Sequence, residues 1–331
     1  MKRRLVALGM TASALTAATP ARSAPRRIGM SDVERLKQRF AEVIASDHRH
    51  GGQLGIERKA AALAGSALSL QESGNATQRV RGYLYGCAAA FRSSAMWAAI
   101  DGRRFDVAFL HMREAQALAE MAGDAAIKFR IWSHAGAMYR HMGRTAQALS
   151  ANSVARGLHI NRRDPMFASL GLARHMAIHG AAGDHSAARR AHDEAQNAMD
   201  HADPGEYRPV WLTAFYDQAE LDSLALSAYM SLGNYEKAEF HAYRCLAAMR
   251  PHMRRSKAIT TTRLARAQLE QGAFESAAAT AMSVSTEAAT RHPRVDLMLK
   301  DFGARLTDLA AGSSAAATWT DYARTTWETV S

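Results

Sequence analysis

The sequence predicts an all-α fold built from stacked helical pairs, and three observations predict it. Alanine is abundant and only 7 of the 331 residues are proline. Both favour long helices, because alanine loses no side-chain entropy in a helix and proline breaks one. Runs of alternating β-branched residues, which would mark strands, are absent. Finally, one kind of junction recurs five times, as "DGRRFDVA", "MGRTAQA", "AGDHSAA", "LGNYEKA" and "QGAFESA".

Taken in order, residues 1–30 read as a basic tail or an export signal. "MKRRLVALGMTASALTAATPARSA" has a basic start, a modestly apolar stretch and then small residues, with Arg3-Arg4 as a twin-arginine candidate. The first 31 residues hold six basic side chains and no acid, so they supply +6 of the formal +11. The excess charge is an N-terminal feature and not a basic face spread over the fold, which weakens a nucleic-acid reading. No segment approaches a membrane span.

Residues 31–311 read as the helical domain, with helices over 32–46 and 57–72 closing one end. Between them "SDHRHGG" places His48 and His50 around an arginine. Two residues apart, the histidines point to different sides of a helix and cannot chelate together. Gly51-Gly52 suits a helix C-terminus, and basic residues suit its negative end. The stretch therefore reads as a helix cap.

The junction alanines are Ala108, Ala148, Ala188, Ala238 and Ala277, spaced by 40, 40, 50 and 39 residues. Seven residues on stand Ala115, Ala155, Ala195, Cys245 and Val284. Seven residues are nearly two turns, so each pair shares a helix face, and small side chains there let a neighbouring helix approach closely. Three junctions carry an aromatic residue before the alanine, at Phe105, Tyr235 and Phe274. The one long period is explained by an insertion, "DPGEYRPVWLTAFYDQ", which begins as a loop. A helix over 295–311 closes the other end, and 312–331 reads as a C-terminal tail. Cys87 and Cys245 lack metal-site spacing and read as small buried apolar residues.

The helix before the second junction, "FRIWSHAGAMYRHMG", carries Trp132, Ala135, Gly136 and Tyr139, followed by Ala148 and Ala155. This pattern resembles the tetratricopeptide repeat, whose family period is about 34. The first and third units depart from it, with Arg92 and Leu172 at the Trp position. The resemblance implies a right-handed helical solenoid with a concave groove. More narrowly, "DVERLKQRFAEVIASDHRHGG", "IWSHAGAMYRHMGR", "RRDPMFASL" and "FYDQAELDSLA" resemble the C-terminal half of actinobacterial helix-turn-helix/tetratricopeptide regulators over 32–311. The DNA-reading half of such proteins is missing, so what the resemblance implies is signal binding and regulation, not direct sequence-specific DNA binding.

The chemistry-bearing candidates are few. His175 and His179 are four apart on one helix face, a spacing that can bind zinc, but no Glu follows His175 and a packed pair fits better. Asp217, Glu220 and Asp222 in "FYDQAELD" read as packing and capping groups. There is no glycine-rich phosphate loop and no nucleophile elbow. No catalytic residue, metal or cofactor is therefore expected. The expected site is the groove, where the repeat register places Trp97, Arg130, Ala137, Arg140, Ser223, Ser227 and Arg266. Small residues make room, and arginines hold carboxylates with paired donors. Arg130 and Arg140, ten residues apart, are expected on one face about 15 Å apart, as solvated charges whose removal leaves folding intact. The expected function is a non-catalytic interaction or regulatory protein of the cytoplasm that binds a peptide or protein partner, and a homodimer is compatible with it. An exported helical binding protein is the alternative, and an enzyme with an unrecognised site the third reading.

Overall fold

The computed structural model describes residues 26–50 and 53–328. The N-terminal stretch read as an export signal or tail, residues 1–24, and Gly51-Gly52 lie outside the described residues. The fold is all-α. The described residues form seventeen helices and one minimal two-stranded parallel sheet, β1 (Arg26–Arg27) with β2 (Gly74–Asn75). Among the described residues no helix is long and apolar enough to cross a membrane.

The helices come as antiparallel pairs in chain order. They are α1 (Met30–His50) with α2 (Leu54–Ser73), α3 (Gln78–Asp101) with α4 (Phe105–Ala122), and α5 (Ala125–His141) with α6 (Thr145–Gly157). A short α7 (Ile160–Arg163) leads to α8 (Pro165–Ala181) and α9 (His185–Asp200). The insertion holds α10 (Val210–Phe215), followed by α11 (Gln218–Ser231) with α12 (Tyr235–Ala248) and α13 (Arg254–Glu270) with α14 (Phe274–Met282). A short α15 (Thr286–Arg291) precedes α16 (Pro293–Leu309) and α17 (Ser314–Glu328). The segment read as a C-terminal tail, 312–331, thus contributes a helix. Trp319 of α17 is buried against Phe302, and its ring fills the space left by Gly303.

The five junctions share one geometry. A backbone N–H reaches back across the turn from Arg104 to Ala99, Arg144 to Tyr139, Asp184 to His179, Asn234 to Tyr229 and Ala273 to Gln268, all at 2.8–3.0 Å. Such a bond satisfies a carbonyl left open at a helix C-terminus, and it requires a left-handed residue in the turn. Gly143, Gly183, Gly233 and Gly272 supply it, with φ of 70–81°. In the first junction the residue is Arg103, at φ 60°, and not Gly102. Aligning the glycines by sequence places that junction one residue off. Of the helices after these junctions, α9 and α12 are capped by side chains, at Asp184 and Asn234, and Asp124, Asp164 and Asp217 cap α5, α8 and α11 in the same way, by accepting from N–H groups of the first turn.

All ten small positions derived from the junctions are buried, from Ala108 and Ala115 through Ala277 and Val284. Both cysteines are buried as well. The backbones approach closely where α8 crosses α11, because a Cβ on Gly180 would lie 2.6 Å from the Ala228 Cα. One apolar core runs from α1 to α12 and into α13, and a second joins α13, α14, α16 and α17.

Successive first helices α3, α5, α8, α11 and α13 touch in turn, and α1 packs against both α10 and α13. Helix α1 therefore meets the sixth pair, α13 with α14. These contacts enclose an interior lined by first helices.

Candidate functional site

The interior contains two joined recesses. The first, about 630 Å³ counting the solvent at its mouth, has four aromatic walls, Trp97 from α3, Trp211 and Phe215 from α10, and Tyr216 beyond it. The second, about 510 Å³, is rich in arginine, with Arg140 from α5, Arg263 from α13 and Arg294 from α16. Trp97, Arg174, Glu220, Arg255 and Ser256 border both. The insertion is the reason the first recess is aromatic. Arg208 grips Asp164 with two bonds of 2.7 and 2.9 Å, which fixes the loop so that α10 points inward. Trp211 then sits 5.7 Å from Phe167, edge on, and parallel to Phe129 at 6.5 Å.

Of the seven residues expected in the groove, Trp97, Arg130, Arg140, Ser223 and Ser227 line the interior. Ala137 is buried against neighbouring helices and does not reach it. Arg266 lies outside it, held by Glu270 of its own helix at 2.7 Å. Arg130 is not the solvated charge the sequence suggests. It is 3% exposed, donates to the Ala90 carbonyl at 3.2 Å and to the Ser94 hydroxyl at 3.0 Å, and lies over the rings of Phe40 and Trp211. Burial brings its guanidinium down to about 9, with Asp47 acting in the other direction. Arg130 and Arg140 border different recesses, and only Arg140 faces the arginine-rich one.

The sequence reading missed Arg174, Glu220, Arg255, Arg263 and Arg294. For Arg174, Glu220 and Arg263 the signal was present in the register. Fourteen residues before the junction alanines stand Ser94, His134, Arg174, Leu224 and Arg263, and eighteen before stand Ala90, Arg130, Leu170, Glu220 and Ile259. A step of four keeps one helix face, and most of these residues border the interior. Glu220 is thus a wall of the site and not only a packing group. It lies 3.7 Å from Arg174, which in turn sits over the Trp97 ring at 5.6 Å. Asp217 caps α11, as expected, and Asp222 is buried 2.7 Å from His241.

Charge is unbalanced in the second recess. Arg255 and Arg294 share Asp101, at 2.6 and 3.2 Å, and Arg174 shares Glu220. Among the described residues neither Arg140 nor Arg263 has a carboxylate within ion-pair distance; Arg140 donates to the Ser227 hydroxyl at 3.2 Å. Burial, then Arg174, Arg294 and Arg103, bring Arg140 down to about 9, and burial, then Arg294 and Arg140, do the same to Arg263. Both still carry their charge at neutral pH. His134 and His141, pushed well below the ordinary histidine range by burial and by neighbouring arginines, stay neutral there.

His48 ends α1 as the sequence suggests, but it is more than a cap. Its ring is buried 4.0 Å from Phe215 and stacked 5.7 Å from His252, where α1 meets the insertion. His175 and His179 form a packed pair with their Nε2 atoms 3.1 Å apart, and Asn152 contacts the Nδ1 of His175. Among the described residues no group of three or more His, Cys, Asp or Glu side chains could hold a metal. No protein-family model matches the chain, and no curated protein sequence matches it either.

Proposed function

We propose that this chain is a non-catalytic helical-repeat interaction protein, tetratricopeptide-like, that receives a segment of a peptide or protein partner in its interior and serves regulation. The observation that carries this reading is the convergence of five first helices on one continuous lining, in which an aromatic recess opens into a cationic one. Aromatic walls offer a large apolar contact at low entropic cost, and arginines orient an acidic group. A repeat fold suits such work, because each unit contributes one stripe of side chains to a shared concave surface. The resemblance to regulator sensor halves supports a regulatory role.

A photo-crosslinking residue at Ser223, which borders the interior, tests this against one at Phe240, which is exposed on α12. A specific partner captured in the native host from position 223 and not from 240 is the expected result. Capture only from 240 would move the interface to the outer face.

A further inference from the structure

Four observations in the second recess point to one ligand chemistry. Five arginines, at positions 140, 174, 255, 263 and 294, border the recess together with a single acid, Glu220. Even with Asp101 counted behind Arg255 and Arg294, and Asp47 acting on Arg255, the arginines outnumber the acids that face them. The buried atoms there that lack a partner are donors, namely the Nε atoms of Arg174, Arg255 and Arg294. The arginines come from α5, α8, α13 and α16, so no single helix pattern accounts for their meeting. An arginine kept for packing alone would be expected to carry a carboxylate or carbonyl partner, as Arg130 and Arg208 do.

We propose that this recess is a binding site for an anionic oxygen group, a carboxylate or a phosphate, with Arg140 and Arg263 as its principal ligands. The group belongs to a molecule whose apolar part lies against Trp97 in the adjoining recess. This rests on the interior being the binding surface, and it adds the chemistry that surface selects. Guanidinium groups match carboxylate and phosphate oxygens with paired donors and remain charged in a desolvated site. An anion there satisfies the free donors and relieves the repulsion that Arg294 exerts on both Arg140 and Arg263 in the ligand-free protein.

The test uses the full chain and two probes, inorganic phosphate and succinate, each against sodium chloride at matched ionic strength. The thermal midpoint of the wild type is expected to rise saturably, by roughly 2–4 °C or more, with at least one probe. Which probe acts distinguishes phosphate from carboxylate. Arg263→Gln and, separately, Arg140→Gln are expected to lose that rise, while Arg266→Gln, on the same helix as Arg263 but outside the recess, keeps it. Arg263→Gln is also expected to melt no lower than the wild type in chloride, since a repelling charge is removed. No rise in the wild type, or the same rise in all four proteins, would overturn the site. Crosslinking from Ser223 separates this from the broader reading. Partner capture without anion binding leaves the interior as an interface and removes the anion site, whereas anion binding without capture does the reverse.

Discussion

The carboxylate of Asp101, at the end of α3, lies 2.6 Å from the guanidinium of Arg255, which stands 154 residues later in the chain. Both are buried, and Arg294 and His292 approach the same carboxylate at 3.2 and 3.4 Å. Burial alone would raise this carboxyl, but Arg255, His292 and Arg294 outweigh it and hold it well below the usual carboxylate range. The contact ties the second helical pair to the sixth and thereby encloses the interior. Asp101→Asn leaves Arg255 and Arg294 buried around a neutral group. It should cost roughly 3–5 kcal/mol in denaturant unfolding, the range for breaking one side of a buried pair. A loss below about 1 kcal/mol would mean that the bridge does not hold the two ends together.

Arg103 supplies the second prediction. It occupies the left-handed turn position where the next four junctions have glycine. A side chain in that conformation costs roughly 1–2 kcal/mol. Arg103 is exposed, so its nearby acids return little of this. Arg103→Gly should raise the thermal midpoint, by up to about 1 kcal/mol of stability, without moving the interior. A lower midpoint would show that the arginine is held by more than its backbone.

The helical pairs and their small contact positions were legible because they follow from local rules. Ala148 is invisible as chemistry but obvious as spacing. The interior was legible in part. Trp97, Arg140, Ser223 and Ser227 fell out of the register, yet Arg174 and Arg263 did not, although they share one register position with His134. The reason is that the interior is defined by which helices curl inward, and the curl is set by long-range contacts such as Asp101–Arg255. Arg130 shows the converse. Its register was right and its environment was not, because Phe40 of α1 and Trp211 of the insertion cover it from distant parts of the chain. Removing Arg130 is therefore expected to disturb folding, and it is a poor probe of binding.

Two glycines allow the packing of pairs to be tested by contrast. A Cβ at Gly136 meets the Ala148 carbonyl at 3.4 Å, a contact that small shifts absorb, whereas one at Gly180 meets the backbone of Ala228 at 2.6 Å. Alanine in a helix gains roughly 0.5–1 kcal/mol over glycine. Gly136→Ala should therefore be close to neutral, and Gly180→Ala should cost about 1–3 kcal/mol, as overpacking does. Ala148→Leu, at the Gly136 contact, should fall in that same costly range. Equal effects of the two glycine changes, measured by thermal unfolding, would mean that α8 and α11 are not in the tight contact described.

The last prediction concerns acid. His48 is pushed down to about 4, first by burial and then by Arg255, His252 and Arg250. Arg49, Arg250 and His252 line a small third recess together with His48, so the ionisable groups that face the ring from α1, α13 and the preceding loop are basic, Asp47 excepted. In the unfolded chain His48 has its ordinary value near 6.5. Between these two values the unfolded state binds the extra proton, so stability is present above pH 6.5 and is lost as pH falls toward 4. The shift corresponds to at most about 3 kcal/mol at full protonation. His175, also near 4 through burial first and then Arg156 and His179, adds a loss of the same sign. Asp47, whose carboxyl is raised by burial, works in the opposite direction. His48→Phe keeps a ring against Phe215 but has no proton to gain, while His175 and Asp47 are unchanged in it. Unfolding free energies of the two proteins should therefore be similar at pH 7.5 and diverge on acidification, the variant losing less between pH 6.5 and 5. Parallel pH profiles would mean that the His48 ring already reaches solvent, and that α1 does not seal against the insertion.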